Sequence, residues 1–331
     1  ENRMRLAIDI IKAVREKVGE KFIVIFRLSM IDLVDGGNSW EDVVTMAKAV
    51  EAAGATLINT GIGWHEARVP TISTSVPRAA FTWITEKMKQ EVSIPLVTTN
   101  RINTPEVAEE VLSKGHADMV SMARPFLADA EFVQKAAENK SDEINTCIGC
   151  NQACLDHVFQ QKRASCLVNP VACYETELTF AKTEKAKRIA VIGAGPAGLA
   201  FSVYAAERGH KVEIFDRSAE IGGQFNIAKQ VPGKEEFYET IRYFNRKLAL
   251  LNVTIHLNSE QTTEQLIEAN FDEVVLATGI VPRKLDIQGF ENKKVIVLGG
   301  GDTAMDCVRT SIRQKATEVT CAYRRDEANM P

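Results

Sequence analysis

The chain contains a glycine-rich turn, Gly193-x-Gly195-x-x-Gly198, between an apolar strand pattern and a helix pattern. It lies in the run "KRIAVIGAGPAGLAFSVYAAERGHKVEIFD", where Asp216 closes the second strand pattern. This order of strand, turn, helix, strand and acid predicts a dinucleotide-binding βαβ unit. The glycines let the backbone approach a pyrophosphate at the helix N-terminus, and the acid can bind a ribose hydroxyl. A tight structural turn without a ligand is the alternative.

A second unit of this kind begins at Gly299-x-Gly301-x-x-Ala304. Arg324 and Arg325 occupy the place where the first unit has its acid. Two guanidinium groups there suit a 2′-phosphate, which predicts NADPH, and a solvated basic pair is the alternative. After the first unit, the strings "EIGGQF", which contains Gln224, and "VVLATG" are typical of flavoproteins with two dinucleotides, so the first unit is predicted to bind FAD.

Four of the seven cysteines fall in one stretch, with the spacing C-x₂-C-x₃-C-x₁₁-C. Structural zinc usually uses two paired knuckles, whereas this spacing better suits a 4Fe–4S cluster held by four thiolates. Zinc and metal-free thiols stay open as alternatives, and disulfides are disfavoured because nothing indicates an oxidising compartment. Cys307 and Cys321 are predicted to be buried apolar residues. The predicted cluster ligands are Cys147, Cys150, Cys154 and Cys166.

The N-terminal part alternates amphipathic helices with short apolar strands, which predicts repeated βα units and a parallel sheet. Polar residues at the strand ends favour the C-terminal half of a TIM (β/α)₈ barrel, and a slice of a doubly wound sheet is the alternative. The fold class is therefore α/β. The predicted domains are a partial barrel at 1–135, a cluster segment and linker at 136–187, a Rossmann-like FAD domain at 188–290, and the start of a Rossmann-like NAD(P) domain at 291–331.

Four basic side chains of the barrel segment are candidate site residues. Arg27 is predicted to end a strand, where an inward arginine needs an anion or a carboxylate. His65 follows another strand and is a candidate catalytic residue, although a lone histidine is more often structural. Arg101 and the pair Ala123–Arg124 follow the last two strands, where such barrels commonly bind phosphate. Ordinary surface ion pairs are the alternative for the arginines.

The formal net charge of −4 argues against nucleic-acid binding, and no run of eighteen apolar residues predicts a membrane span. We expect a cytoplasmic protein. The sequence opens at Glu1 inside a helix-like pattern and stops at "RRDEANMP". We therefore expect it to be an internal piece of a longer protein, inactive by itself because half a barrel leaves sheet edges exposed.

Several strings together resemble the bacterial 2,4-dienoyl-CoA reductases, which belong to the old yellow enzyme superfamily. They are "RLSMIDLV", "NTGIGWHEARVPTI", "PLVTTNRIN", "DMVSMARPFLADAEF", "EINTCIGCNQACLD", "SCLVNP", "GAGPAGLA" and "EIGGQFNIAKQVPGKEEFYET". The resemblance runs from the start to about residue 283. After about residue 285 the sequence is instead similar to the glutamate synthase small subunit, so the gene is either a mosaic or a join of two genes.

The resemblance implies an FMN-binding barrel, a 4Fe–4S segment, and FAD and NADPH domains. Electrons would pass from NADPH to FAD, through the cluster to FMN, and on to a 2,4-dienoyl-CoA. His65 would help to protonate or polarise the substrate with a tyrosine that lies outside this sequence. The other implied assignments are Arg27 to the flavin, Arg101 and Arg124 to the FMN phosphate, the four clustered cysteines to the iron, and Gly195, Asp216 and Gln224 to FAD.

The sequence thus predicts part of an NADPH-dependent 2,4-dienoyl-CoA reductase of fatty-acid β-oxidation. The thioester substrate is the only partner implied, without nucleic acid, membrane or an obligate protein partner. One alternative is an NADPH–FAD–iron–sulfur electron-transfer module like the glutamate synthase small subunit, which has no use for the barrel string "GWHEARVP". Another is a different old-yellow-enzyme-type enoate or NADH:flavin oxidoreductase.

Overall fold

A computed structural model of the chain describes residues 2–64, 67–281 and 289–323. The chain divides into two compact units, Glu1–Leu178 and Thr179–Pro331. Three of the predicted site residues, His65, Arg324 and Arg325, lie outside the described residues. Within the described ranges, no helix combines the length and the apolar character needed to cross a membrane.

In the first unit, helices alternate with four strands that form one parallel sheet in the order β1-β2-β3-β4. Neighbours in sequence are neighbours in the sheet, as in a (β/α)₈ barrel, whereas a doubly wound sheet reverses its order. This confirms the predicted α/β fold class. The elements are α1 (Asn2–Val18), β1 (Ile25–Ile31), α2 (Trp40–Ala52), β2 (Leu57–Ile62), α3 (Thr82–Met88), β3 (Leu96–Thr98), α4 (Pro105–Ser113), β4 (Met119–Val120), α5 (Arg124–Ala128), α6 (Phe132–Ala137) and α7 (His157–Phe159), with a 3₁₀ turn at Ser141–Glu143 and a π-helical turn at Gln152–Asp156.

Local signals fix where two of these helices begin. Ser39 and Asp42 form a reciprocal capping box at the start of α2, and Thr104 caps α4, whose first residue is Pro105. The helices pack on one face of the sheet around fully buried side chains such as Ile58. All four strands therefore point their carboxyl ends toward one edge, where the following loops meet.

The two edge strands of this sheet and the outer face of α1 expose apolar side chains. Leu6 is 72% exposed, Ile10 is 54% exposed, and Ile25 at the start of β1 is 58% exposed. Apolar side chains that lie together on a protein surface normally pack against further protein structure.

The second unit holds two parallel sheets, one in the order β7-β6-β5-β8 and one that pairs β9 with β10. Both glycine-rich turns connect a strand to a helix, as predicted. β5 lies between β6 and β8, so the order of the strands reverses at β5. Sheets of this kind bind ligands at the carboxyl ends of the strands beside such a reversal. The elements are β5 (Arg188–Ile192), α8 (Pro196–Glu207), β6 (Lys211–Phe215), α9 (Phe225–Ala228), α10 (Phe237–Leu250), β7 (Thr254–His256), α11 (Thr263–Glu268), β8 (Glu273–Leu276), β9 (Lys294–Leu298), α12 (Asp302–Arg313) and β10 (Glu318–Ala322).

Arg124 follows β4, as predicted, and opens α5. Two other local predictions were wrong. Arg27 lies in the middle of β1 and is exposed, because the strand continues to Ile31. Cys307 is exposed and Cys321 only half-buried, because β9, β10 and α12 form a thin layer with a largely open surface.

Candidate functional site

One pocket lies where the strands β1 to β4 end, and it contains all four barrel residues that were predicted to bind a cofactor. Arg27 stands opposite Asn59 in the register of β1 and β2, so both side chains point to the same side of the sheet. The residues that line this pocket include Arg27, Asn59, Asn100, Arg101, Ser121, Ala123, Arg124 and Cys147. We call it the arginine pocket.

Arg101 is held firmly within this pocket. Its side chain is 5% exposed, and its Nε donates a hydrogen bond of 2.8 Å to the carbonyl of Val76. Asn100 and Arg101 both have left-handed backbone, with φ of 72° and 57°. Consecutive non-glycine residues in this region are strained and are often found at functional sites. A surface ion pair is therefore the wrong description of Arg101.

Arg124 also lines a second pocket, whose wall includes Cys147, Cys150, Cys154 and Cys166 and which we call the cysteine pocket. Its Nη1 donates to the carbonyl of Ile72 at 2.9 Å and to Oδ1 of Asn151. Neither Arg124 nor Arg27 forms an ion pair with a carboxylate in the part of the chain that the structure describes. Their positive charges are thus available to an anion, and the arginine pocket fits the phosphate of FMN.

The four clustered cysteines line a single pocket, as their spacing predicted. Cys154 is carried by the π-helical turn, a geometry that is frequent at functional sites. No three His, Cys, Asp or Glu side chains of the described residues are grouped for a single metal ion. Four thiols that line one pocket are the donor set that a 4Fe–4S cluster requires, and the cluster itself stays a prediction.

Burial controls the acidity of these thiols. It raises the pKa of Cys147, although the nearby Arg124 charge and the backbone N–H of Gly149 act in the opposite direction. Burial also raises the pKa of Cys150, and it raises that of Cys166 to about 11 against hydrogen bonds from backbone N–H groups. Such N–H groups beside sulfur are typical of iron–sulfur sites. The thiols of Cys147, Cys150 and Cys166 are therefore protonated at neutral pH and would release protons as they bind iron.

Gly149 joins the two pockets closely. Its φ is 66°, and a Cβ atom there would lie 3.1 Å from the Cα of Thr74 and 3.1 Å from Nη1 of Arg101. Only glycine tolerates this backbone and this contact together. The cysteine loop thereby packs directly against the guanidinium group of Arg101.

Sequence analysis missed several polar residues of these two pockets. Asn59 sits inside a buried strand, and a polar residue within an apolar strand run was the available signal. Asn151 has left-handed backbone, with φ of 62°, and accepts a hydrogen bond from Arg124. Ser121 lies within reach of Asn59, with 3.4 Å between Oγ and Oδ1. No local pattern marks Asn151 or Ser121, because their roles depend on contacts between distant segments.

In the second unit, a pocket forms at the carboxyl end of β5 and is lined by four predicted residues: Gly193, Gly195, Asp216 and Gln224. Gly193 has φ of 113°, and a Cβ atom there would lie 2.3 Å from the carbonyl oxygen of Ala277. Gly195 caps α8 and Gly198 is buried within it. The glycines therefore bring the backbone to the pocket wall, which fits a dinucleotide pyrophosphate.

Asp216 is partly engaged by the backbone. Its Oδ2 accepts from the N–H of Ala194 at 2.6 Å, and its Oδ1 accepts from the N–H of Ser218 at 2.7 Å. Burial raises the pKa of this carboxyl group, but the hydrogen bonds from Ala194 and Ser218 outweigh it, so the net pKa is lowered. The ionised carboxylate keeps free lone pairs for a ribose hydroxyl.

The second glycine unit repeats this geometry. Gly299 has φ of 131°, and Gly301 caps α12 as Gly195 caps α8. Because Arg324 and Arg325 lie outside the described residues, NADPH binding by them stays a prediction.

The arginine pocket makes a testable distinction between two flavins. Replacing Arg124 with glutamine should weaken FMN binding about 10- to 100-fold, since hydrogen bonds to charged groups contribute about 1.5–3 kcal/mol. Riboflavin lacks the phosphate, so its affinity should not change. Fluorescence titration of the purified protein measures both. Arg163→Gln is the control, since this exposed arginine pairs with Glu177 and does not line the pocket. An equal loss for both flavins would contradict phosphate binding by Arg124.

Two families of known proteins match separate parts of the chain. Residues 1–143 match the NADH:flavin oxidoreductase / NADH oxidase family. Residues 187–330 match the family described as pyridine nucleotide-disulphide oxidoreductase. The first match covers the arginine pocket except for Cys147 and Leu155, and the second covers both glycine-rich turns.

Two characterised relatives resemble nearly the whole chain. A metal reductase of Desulforamulus reducens is 41% identical over 298 residues, which are 89% of this chain and 45% of that protein. A cinnamate reductase of Clostridium sporogenes is 28% identical over an alignment of 354 positions, gaps included, that covers 97% of this chain and 52% of that protein. The chain thus spans about half the length of these curated relatives.

A solved structure of a 2-naphthoyl-CoA reductase in complex with 2-naphthoyl-CoA has a TM-score of 0.91 and 31% identity to this chain, covering 97% of it and 52% of that protein. The glutamate synthase [NADPH] small chain of Escherichia coli is 35% identical over an alignment of 182 positions, gaps included, that covers 44% of this chain and 38% of that protein. A likeness to this subunit was predicted, and the aligned length extends well beyond the C-terminal segment that suggested it.

Proposed function

We propose that the chain is part of a flavin- and iron–sulfur-dependent reductase of conjugated acyl compounds, since residues 1–143 match the NADH:flavin oxidoreductase / NADH oxidase family and residues 187–330 match the pyridine nucleotide-disulphide oxidoreductase family. The observation that carries this proposal is the shared wall of two pockets. Arg124 and Cys147 line the arginine pocket and the cysteine pocket alike. A flavin phosphate and a cluster held there would be neighbours.

Each group of residues has a distinct task in this proposal. Arg101 and Arg124 would bind the flavin phosphate, and the four cysteines would hold the cluster. Gly193 and Gly195 would let the backbone approach the pyrophosphate of FAD, and Asp216 would accept a hydrogen bond from its ribose. When bound, the flavins and the cluster supply the one- and two-electron chemistry that side chains lack. His65 would hold or donate the proton that a reduced double bond needs.

For the substrate we propose a 2,4-dienoyl-CoA thioester, reduced at the expense of NADPH. The support is the resemblance of the strings around His65 and the similarity to a reductase that was solved with an aryl-CoA thioester. A free enoate is an equally supported class, because a cinnamate reductase is also among the relatives. The two classes differ in the thioester and its long nucleotide tail.

The test uses protein from the complete reading frame that encodes this sequence. NADPH oxidation is followed with a 2,4-dienoyl-CoA, with the matching free dienoic acid, and with cinnamate. Turnover of the thioester with at least ten-fold preference, about 1.4 kcal/mol, supports the dienoyl-CoA assignment. Preference for the free acids selects the enoate class instead. No turnover of any conjugated acyl compound overturns the proposal.

A second candidate is an electron-transfer module that passes NADPH electrons to another protein. The similarity to the glutamate synthase small chain favours it. The barrel segment opposes it, because an electron-transfer module has no need of a substrate-binding barrel. Reduction of an artificial acceptor without any enoate turnover would favour this candidate.

A further inference from the structure

A buried carboxylate lies directly after β1, outside the pockets described above. Asp32 is 3% exposed, yet four donors bond to its two oxygens. Oδ1 accepts from Ser29 Oγ at 2.9 Å and from Trp64 Nε1 at 3.0 Å. Oδ2 accepts from the backbone N–H and from Nδ2 of Asn38, each at 2.8 Å. The carboxylate is therefore fixed from both sides.

These bonds tie the loop after β1 to the loop after β2 at two consecutive positions. The N–H of Gly63 donates to the carbonyl of Ile31 at 2.7 Å, and the indole of the next residue, Trp64, donates to Asp32. Two adjacent residues of one loop thus bond to two adjacent residues of the other. The next residue along the chain from Trp64 is His65.

The backbone around Asp32 is unusual in three respects. β1 carries an irregularity in its register between Ser29 and Ile31, and bulges at barrel rims re-aim the side chains that follow. Leu33 has left-handed backbone, with φ of 60°. A Cβ atom on Gly37 would lie 2.9 Å from the Cβ of Asp32, so only glycine leaves room for this carboxylate. Strain of this kind persists only where the surroundings enforce it.

Packing alone does not explain the arrangement. Burial of a carboxylate is costly, and no lysine, arginine or histidine of the described residues forms an ion pair with Asp32. Burial raises the pKa of Asp32, but hydrogen bonds from Asn38, Ser29 and Trp64 outweigh it and lower the net pKa, so the group stays ionised. The indole that it holds is 50% exposed. The buried charge of Asp32 therefore orients Trp64, a side chain that is itself only half-buried.

We propose that Asp32 is a positioning residue, which fixes the indole of Trp64, the residue that precedes His65 in the sequence. This inference rests on the proposed function, in which His65 serves the reaction. Active sites tolerate little displacement, and an error of about 1 Å in the position of a reacting group can cost about 100-fold in rate. Asp32 acts through Trp64 and does not itself take part in the chemistry.

The first arm of the test measures the mobility and the solvent exposure of the Trp64 indole by fluorescence, and it needs no activity assay. The other two tryptophans are removed by Trp40→Phe and Trp83→Phe, so that fluorescence reports Trp64 alone. Asp32→Asn keeps the shape of the side chain but turns an NH₂ group toward two of the four donors. We expect lower anisotropy and up to about a two-fold rise in acrylamide quenching, because Trp64 is already 50% exposed. An unchanged Trp64 signal would overturn the proposal.

Asp129→Asn is the matched control. Asp129 is also buried, at 6% exposure, and accepts from Lys135 Nζ at 2.7 Å and from the N–H of Asn145 at 2.9 Å. Asp129 is far from Trp64 in sequence. The Asp129→Asn variant therefore shows how much the removal of a buried charge changes the protein in general. We expect this variant to lower stability without changing Trp64 fluorescence.

The second arm measures turnover by protein from the complete reading frame. Asp32→Asn and Trp64→Phe, which removes only the indole N–H and part of the ring, should each lower kcat about 100-fold with bound flavin unchanged. Asp129→Asn should keep the wild-type kcat. A normal kcat in Asp32→Asn would overturn the positioning role. A wild-type protein that reduces no conjugated acyl compound would instead overturn the proposed function, and the Trp64 signal would still decide whether Asp32 holds the indole.

Discussion

Replacement of Cys150 by serine is expected to abolish iron binding in the cysteine pocket. The side chain lines that pocket with three other cysteines, and burial raises its pKa. Iron–sulfur clusters are held by thiolates, and a serine hydroxyl is a much harder and less acidic ligand. Iron and acid-labile sulfide should fall from about four atoms of each per chain to near zero. Chemical analysis and visible absorption measure this directly.

Cys173→Ser is the control for this experiment. Cys173 is exposed and does not line the cysteine pocket, so its variant should keep the iron content of the wild type. Serine and cysteine have nearly the same shape, and circular dichroism can confirm that both variants fold. NADPH-driven turnover should disappear in Cys150→Ser and persist in Cys173→Ser. Retention of iron in Cys150→Ser, or one zinc per wild-type chain, would contradict the cluster assignment.

The second large effect is expected from Gly198→Ala. A Cβ atom at Gly198 would lie 1.9 Å from the carbonyl oxygen of Gly193. That oxygen cannot retreat easily, since a Cβ on Gly193 would itself lie 2.3 Å from the backbone of Ala277. The turn must therefore distort, at a cost of about 3 kcal/mol or more, because overpacking costs about 1–3 kcal/mol even where side chains can adjust. Thermal unfolding should show a clearly less stable second unit, with FAD binding lost.

Gly195→Ala distinguishes an effect on the stability of the fold from an effect on FAD binding. Nothing lies within 4 Å of a Cβ at Gly195, and its φ of −76° suits alanine. The ligand-free protein should therefore be as stable as the wild type, within about 0.5 kcal/mol. FAD affinity should nevertheless fall, because this glycine lets the backbone approach the pyrophosphate. Unchanged FAD affinity in Gly195→Ala would mean that the turn is structural only.

The parts of the site that were predicted correctly depend on local spacing. Four cysteines within twenty residues can converge on one pocket almost whatever surrounds them, and the structure brings them together. The glycine-rich turns likewise need only the strand before them and the helix after them. Helix starts at Ser39 and Thr104 follow from hydrogen bonds that span three residues.

The wrong predictions concern the residue at which a strand ends and the elements that pack over a given helix or strand. The apolar run around Arg27 did not reveal that β1 continues to Ile31. Burial of Cys307 was inferred from a helix pattern, but an apolar face is buried only where another element packs on it.

By itself, the sequence determined the α/β class, the parallel order of the βα units, the two nucleotide-type turns and the set of four cysteines. Each of these is encoded in residues that are close along the chain, where covalent spacing limits the possible geometry. Only the tertiary structure decided that Arg124 borders two pockets and that Asp32 holds Trp64. Asp32 and Trp64 are 32 residues apart. Their contact exists because the register of β1 and β2 brings two loops to the same sheet edge, and no local pattern specifies that register.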